Sequence, residues 1–188
     1  MKALSIKQPY AYLILVRAYE DDARRPLKPV ENRSKPLPTF FDLPQRIWVH
    51  AGLSLSDVEL PEIEQKMSAT QWLRCRDTLR NIYQEYAYYH NNRQKLQSLG
   101  HFGCLLGTIV ITGQMRKTID PTFASLAGSK PSIGDIGREL RCLAKENSSS
   151  LSPWFVGPYG YIFEYPEKLL APIPYRGALG FFEVDDLV

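Results

Sequence analysis

Lys2-Ala3-Leu4-Ser5-Ile6-Lys7-Gln8-Pro9-Tyr10-Ala11-Tyr12-Leu13-Ile14-Leu15-Val16-Arg17 opens the chain on an apolar stretch that halts at Gln8-Pro9 and resumes with a different spacing. Lys2 to Ile6 reads as a first strand. A helix is predicted from Gln8-Pro9, because proline is favoured in a first turn, where its missing N–H is not needed. Tyr10, Leu13, Ile14 and Arg17 would share one face of it, with Val16 beside them. Outward from this unit, Glu20 to Pro38 is polar and proline-rich and reads as a long loop. Arg46 to Gly52 has strand composition, ending at a glycine.

Residues 60–99 differ in kind. Trp72, Cys75, Leu79, Ile82, Tyr86 and Tyr89 recur at the spacing of one helical face, so a long amphipathic helix is predicted, with a shorter one from Pro61 to Ser68 before it. Leu105 to Thr112 returns to strand composition through its β-branched run. Ser132 and Asp135 resemble the start of a further helix reaching about Lys145, and Asn147 to Pro153 is a serine-rich loop. Two closing strands are predicted, Tyr161 to Tyr165 and Ala178 to Val184, separated by Pro166 to Gly177. Strands at both ends and in the middle, without regular βαβ alternation, argue for an α+β fold with a partly closed β-barrel of about five or six strands and flanking helices.

Composition narrows the classes. A chain of 188 residues is read as one domain, since domains usually run to roughly 100–200 residues. Its 44% hydrophobic and 23% charged residues are near globular averages and suggest neither a disordered nor a membrane class, and no apolar run reaches the ~18 residues that a spanning helix needs. The N-terminus does not read as a secretory signal, so a cytoplasmic location is expected. Cys75, Cys104 and Cys142 lie far apart, and His50, His90 and His101 form no close pair, so neither a disulfide framework nor a metal site is expected. No cofactor is indicated. The net charge of +3 is mild, but residues 23–35 hold Arg24, Arg25, Lys28, Arg33 and Lys35 against the single acid Glu31.

Three segments together resemble the ASCH family of the PUA-like superfamily. Leu4 to Ala11 followed by Leu13-Ile14-Leu15 is similar to the family's strand-to-helix opening, with Tyr10 where tryptophan is usual. Lys28-Pro29-Val30-Glu31-Asn32-Arg33 matches its K-x-x-E-x-R signature, with Pro26 replacing the glycine two places before the lysine. Ser152 to Tyr161 and Pro172 to Gly180 are similar to its closing strands. The resemblance covers roughly residues 1–52 and 100–185 and makes 60–99 a helical insertion.

The resemblance implies binding of RNA, or of a modified or flipped base, in a cleft lined by the basic loop. The residues themselves offer the chemistry. N–H groups at a helix start attract anions, and Lys7 and Gln8 stand there. Lys28 and Arg33 would hold phosphate, carboxylate or a base edge from the Lys28–Arg33 loop. Glu31 has three readings: accepting from a base N–H, acting as a general base, or pairing with an arginine. Trp154 and Phe155 are either barrel core or a platform on which a base stacks, and Tyr159 and Tyr161 flank Gly160. His50 reads as a structural or surface histidine.

The alternative is a small metal-independent hydrolase acting on a modified nucleoside amide or on RNA, with Lys28 and Glu31 as its catalytic residues. Some ASCH-like proteins cleave an amide on a modified cytidine with a lysine, a threonine and a glutamate; here the lysine corresponds to Lys28, but the threonine position holds Glu31. A third reading, a protein-interaction adaptor, rests on Tyr86, Tyr88 and Tyr89. Expected partners are thus RNA or another single-stranded nucleic acid, or a nucleoside-like small molecule, and no membrane.

Overall fold

The computed structural model describes residues 1–116, 125–126 and 152–185. Strands β1 (Lys2–Gln8), β2 (Val30–Arg33), β3 (Gln45–Leu55), β4 (Cys104–Arg116), β5 (Ser125–Leu126), β6 (Tyr159–Pro174) and β7 (Phe181–Glu183) are joined by helices α1 (Tyr10–Leu15), α2 (Leu60–Glu64), α3 (Ala69–Tyr89) and α4 (Arg93–Ser98). The fold is mixed α+β. One sheet runs in the order β2-β6-β4-β3-β1-β7, and β5 pairs with β4 off that path. Within it β1 and β3 are parallel, and the other pairs are antiparallel. No helix among the described residues is long and apolar enough to cross a membrane.

Alternation along β1 and β3 sorts side chains between two sides of the sheet. Leu4 and Ile6 join Ile47, Val49, Ala51 and the α1 residues Ala11 and Ile14 in one core, whereas Ala3 packs with Leu105, Trp48 and Phe182 on the other side. The α3 stripe is buried as its period demands. Cys75, Leu79 and Ile82 are inaccessible and meet Leu13, Leu27, Val30 and Trp154 in a second core. Burying each such aliphatic side chain is worth roughly 1.5–3 kcal/mol. A capping box starts α3: Ser68 Oγ accepts from Gln71 N–H at 3.2 Å, and Gln71 Oε1 accepts from Ser68 N–H at 3.0 Å.

Several elements differ from the sequence reading. The first helix ends at Leu15, so Arg17 leaves its face; Val16 turns extended, and residues 16–18 bond to residues 25–27 instead. Val30–Arg33, expected inside a loop, is a strand, because Val30 is buried and the segment pairs antiparallel with Tyr159–Ile162. The prolines after Tyr165 do not end β6, which continues to Pro174. The β4–β6 register breaks between Thr108 and Val110, leaving Tyr165 (φ 53°) and Pro166 in the gap, where no ladder N–H is required. The last strand is correspondingly short, Phe181–Glu183, after a turn at Gly180 with φ 77°. The helix expected over 132–145 and Cys142 lie outside the described residues.

Candidate functional site

Lys28 enters the fold just before β2, its backbone N–H donating to the Leu13 carbonyl at 3.2 Å, which ties the segment to α1. Its side chain is 1% exposed. Nζ donates to the Val30 carbonyl and, at 2.8 Å, to Glu31 Oε2, and it stands 4.6 Å from the centre of the Tyr10 ring. Burial drives the Lys28 pKa below the ordinary lysine value, and the Glu31 charge and hydrogen bond oppose that shift.

Glu31 is a hub. Its other oxygen, Oε1, lies 3.3 Å from Arg33 Nη2, and its side chain is 10% exposed. Arg33 Nη2 also donates to the Ser5 carbonyl at 2.8 Å, while Nε is buried without a partner among the described residues. That second contact joins β2 to β1, which lie far apart in the strand order. A similar approach occurs at Tyr161 of β6 and Phe181 of β7, whose rings stack 5.8 Å apart.

Register separates the aromatic candidates. Glu31 pairs with Tyr161 and Arg33 with Tyr159, so these four side chains share one face of the β2–β6 ladder. Asn32 pairs with Gly160 on the other face. There Asn32 Nδ2 donates to the Trp154 carbonyl at 2.8 Å, and its Oδ1 accepts from the N–H groups of Val156 and Gly157 at 2.9 and 3.0 Å. A Cβ on Gly160 would meet the Phe155 ring at 2.8 Å, so Phe155 lies against this glycine. Trp154 is buried in the core with Val30. Tyr159 is therefore brought to Glu31 and Arg33, while Trp154 and Phe155 lie across the strand from them.

Lys7 is exposed, whereas Gln8 is fully buried. The Gln8 amide donates to the His101 carbonyl at 2.6 Å and accepts from the Tyr12 N–H at 3.1 Å, so it satisfies one of the donors that would otherwise face a ligand at the start of α1. Most of the cationic groups of residues 23–35 have acidic partners. Arg24 bonds Glu164 at 3.0 Å, Arg25 lies 3.4 Å from Asp22, and Lys28 and Arg33 share Glu31. Lys35 is exposed, and its backbone carbonyl accepts from the Tyr161 hydroxyl at 3.2 Å.

Tyr10 belongs to this site although the sequence reading placed it on an apolar helix face. The available signal was its position, where the resembled family carries another aromatic. Among the described residues, no group of three or more His, Cys, Asp or Glu side chains is arranged to hold a metal ion.

His50 is buried on the other side of the sheet. Nε2–H donates to the Tyr175 carbonyl at 3.1 Å, which leaves Nδ1 to accept from the Ser5 hydroxyl at 2.7 Å. Gly177 packs onto the ring; a Cβ there would stand 2.1 Å from the imidazole. Burial lowers the His50 pKa below its ordinary value, against the opposing effect of the Tyr175 bond. Folding therefore favours neutral His50. The resulting stability is present above the unfolded value of about 6.5 and is lost as pH falls through the lower folded value. Urea unfolding of the wild type should show a loss between about pH 7.5 and pH 5 that is reduced in His50→Gln. A wild-type–variant difference that stays constant with pH would contradict this assignment.

A scan against protein-family models and a search of curated proteins both find no match to the chain.

Proposed function

We propose that the chain is an ASCH-type, PUA-like module that binds a nucleobase, carried by single-stranded RNA or by a nucleoside-like small molecule, at the Lys28–Glu31–Arg33 cluster. The observation that supports this reading best is the Glu31 carboxylate, nearly buried and oriented by Lys28 on one oxygen and Arg33 on the other. A carboxylate has about four lone-pair sites, so acceptor capacity remains for a base N–H. Tyr10 and Tyr159 supply aromatic surface near the two cations that hold it. In this account Lys28 and Arg33 orient Glu31 rather than neutralise phosphates. The barrel half of the reading is supported by the Arg33–Ser5 and Tyr161–Phe181 contacts between strands distant in the order. Residues 60–99 would be a helical insertion in that barrel.

The hydrolase reading draws on the lowered pKa of Lys28, a condition that suits a proton-accepting lysine. Its Nζ, however, already donates to Val30 and Glu31. Base recognition is the better supported.

Calorimetric titration with each ribonucleoside, an N-acylated cytidine and a single-stranded RNA of about 12 nucleotides tests the reading. Saturable binding of at least one nucleoside, competing with the RNA, is expected. Absence of binding by every probe would contradict it, and turnover of the acylated nucleoside would favour the hydrolase.

A further inference from the structure

Residues 69–99 contain five of the chain's 23 Lys and Arg but two of its 20 Asp and Glu, so the whole formal excess of three positive charges lies in this segment. Both acids are engaged: Asp77 with Arg76 at 3.0 Å and Arg80 at 3.9 Å, and Glu85 with His101 at 2.7 Å. The basic run at 23–35 is largely compensated by its neighbours. In the helical segment Arg74 lies 3.8 Å from Glu20, and Arg76 and Arg80 share Asp77, which leaves Arg93 and Lys95 without an ion pair among the described residues.

The outward face of α3 adds a second feature. Arg80, Gln84 and Tyr88 follow one another at i, i+4 spacing and therefore share a face. All three are exposed, and Tyr88 is 80% exposed, with its ring 6.3 Å from that of Tyr89. Immediately beyond the helix end, α4 brings exposed Arg93 and Lys95, and Lys95 Nζ lies 5.7 Å from the Tyr89 ring. Packing does not cover Tyr88, and Arg93 and Lys95 on α4 form no ion pair among the described residues. A strand of unstacked bases supplies both complements, π-faces for tyrosine and phosphates for Arg80, Arg93 and Lys95.

We infer that the outer face of α3 and α4, centred on Tyr88 with Arg80, Arg93 and Lys95, binds single-stranded nucleic acid. The inference rests on the base-recognition reading and sharpens it. The natural ligand becomes a polynucleotide whose flanking nucleotides lie on the helices, not a free nucleoside.

The test is fluorescence anisotropy of fluorescein-labelled single-stranded RNA, single-stranded DNA of the same sequence and duplex RNA, each of about 12 nucleotides, over a range of salt. The variants are Tyr88→Ala and the triple change Arg80→Gln, Arg93→Gln, Lys95→Gln; every altered side chain is exposed, and melting curves check the fold. Tyr88→Ala should weaken single-strand binding about tenfold while changing duplex binding little, because stacking needs unpaired bases. The triple variant should lower the salt slope by about 2, at roughly 0.7 per phosphate contact. A larger loss on RNA than on DNA would identify RNA as the source of the strand, and equal losses would leave either strand as ligand of the same surface.

Unchanged single-strand affinity and salt slope in both folded variants overturn the inference, as does a wild type that binds no oligonucleotide. Nucleoside titrations separate this outcome from the fate of the Glu31 site. Nucleoside binding with no effect of the helix variants on RNA sinks the inference alone. Absent nucleoside binding with RNA affinity sensitive to Tyr88 sinks base recognition at Glu31 and supports the helical surface.

Discussion

Lys28→Ala is expected to destabilise the fold by about 3–5 kcal/mol, the usual cost of breaking a buried ion pair by removing one partner. Three losses coincide. The Val30 carbonyl loses its side-chain donor, Glu31 loses the closer of its two cations, and the lysine stem leaves a void beside Tyr10. For a chain of this size, each kcal/mol corresponds to a shift of about 2–4 °C in Tm, so a fall on the order of 10 °C is expected. Lys28→Met separates packing from charge. It refills most of the stem and leaves Glu31 with Arg33, so it should cost distinctly less than alanine. Urea denaturation of the three proteins measures both differences. An alanine variant within about 1 kcal/mol of wild type would show that the pair carries little of the local stability.

The segments that were legible in the sequence are those whose periodicity is enforced by burial on one side. The α3 stripe from Trp72 to Tyr89 could be read because Cys75, Leu79 and Ile82 must all face the same core. The strands at 46–52 and 105–112 announced themselves by β-branched and apolar runs, and both proved longer than read, Gln45–Leu55 and Cys104–Arg116. The strand carrying Glu31 was hidden. Val30-Glu31-Asn32-Arg33 offers one apolar residue in four, and its pairing is fixed by residues some 130 positions later. No local pattern encodes such a partner. Pro166 misled for a related reason: it sits where the register slips, and a slip is a property of two strands together.

The candidate cluster was legible as residue types and opaque as geometry. Lys28, Glu31 and Arg33 do converge, but through the burial of a lysine that sequence alone would leave in solvent. Gln8 was read toward a ligand and is inaccessible, because its amide joins the His101 carbonyl to the Tyr12 N–H. Trp154 and Phe155 were separated from Glu31 by strand alternation, which could not be applied until Val30–Arg33 was known to be a strand.

Glu31→Gln carries the second large expected effect. Glutamine has the same shape and keeps one acceptor oxygen, yet it loses the negative charge that Lys28 and Arg33 now share. A base N–H held by a carboxylate forms a charge-assisted hydrogen bond worth about 1.5–3 kcal/mol, so nucleoside affinity should fall by roughly 10- to 150-fold. Some stability should also be lost, moderated because Lys28 is already pushed by burial toward its neutral form. Working well below the variant's melting temperature keeps that loss from imitating a binding defect. The deciding measurement is therefore the calorimetric affinity of wild type and folded Glu31→Gln for the same ribonucleoside at one pH and salt concentration. A drop of at least about tenfold in the variant is the result expected of a base-reading carboxylate. Equal affinities in the two proteins would contradict the account and return Glu31 to the role of a structural partner for Lys28 and Arg33.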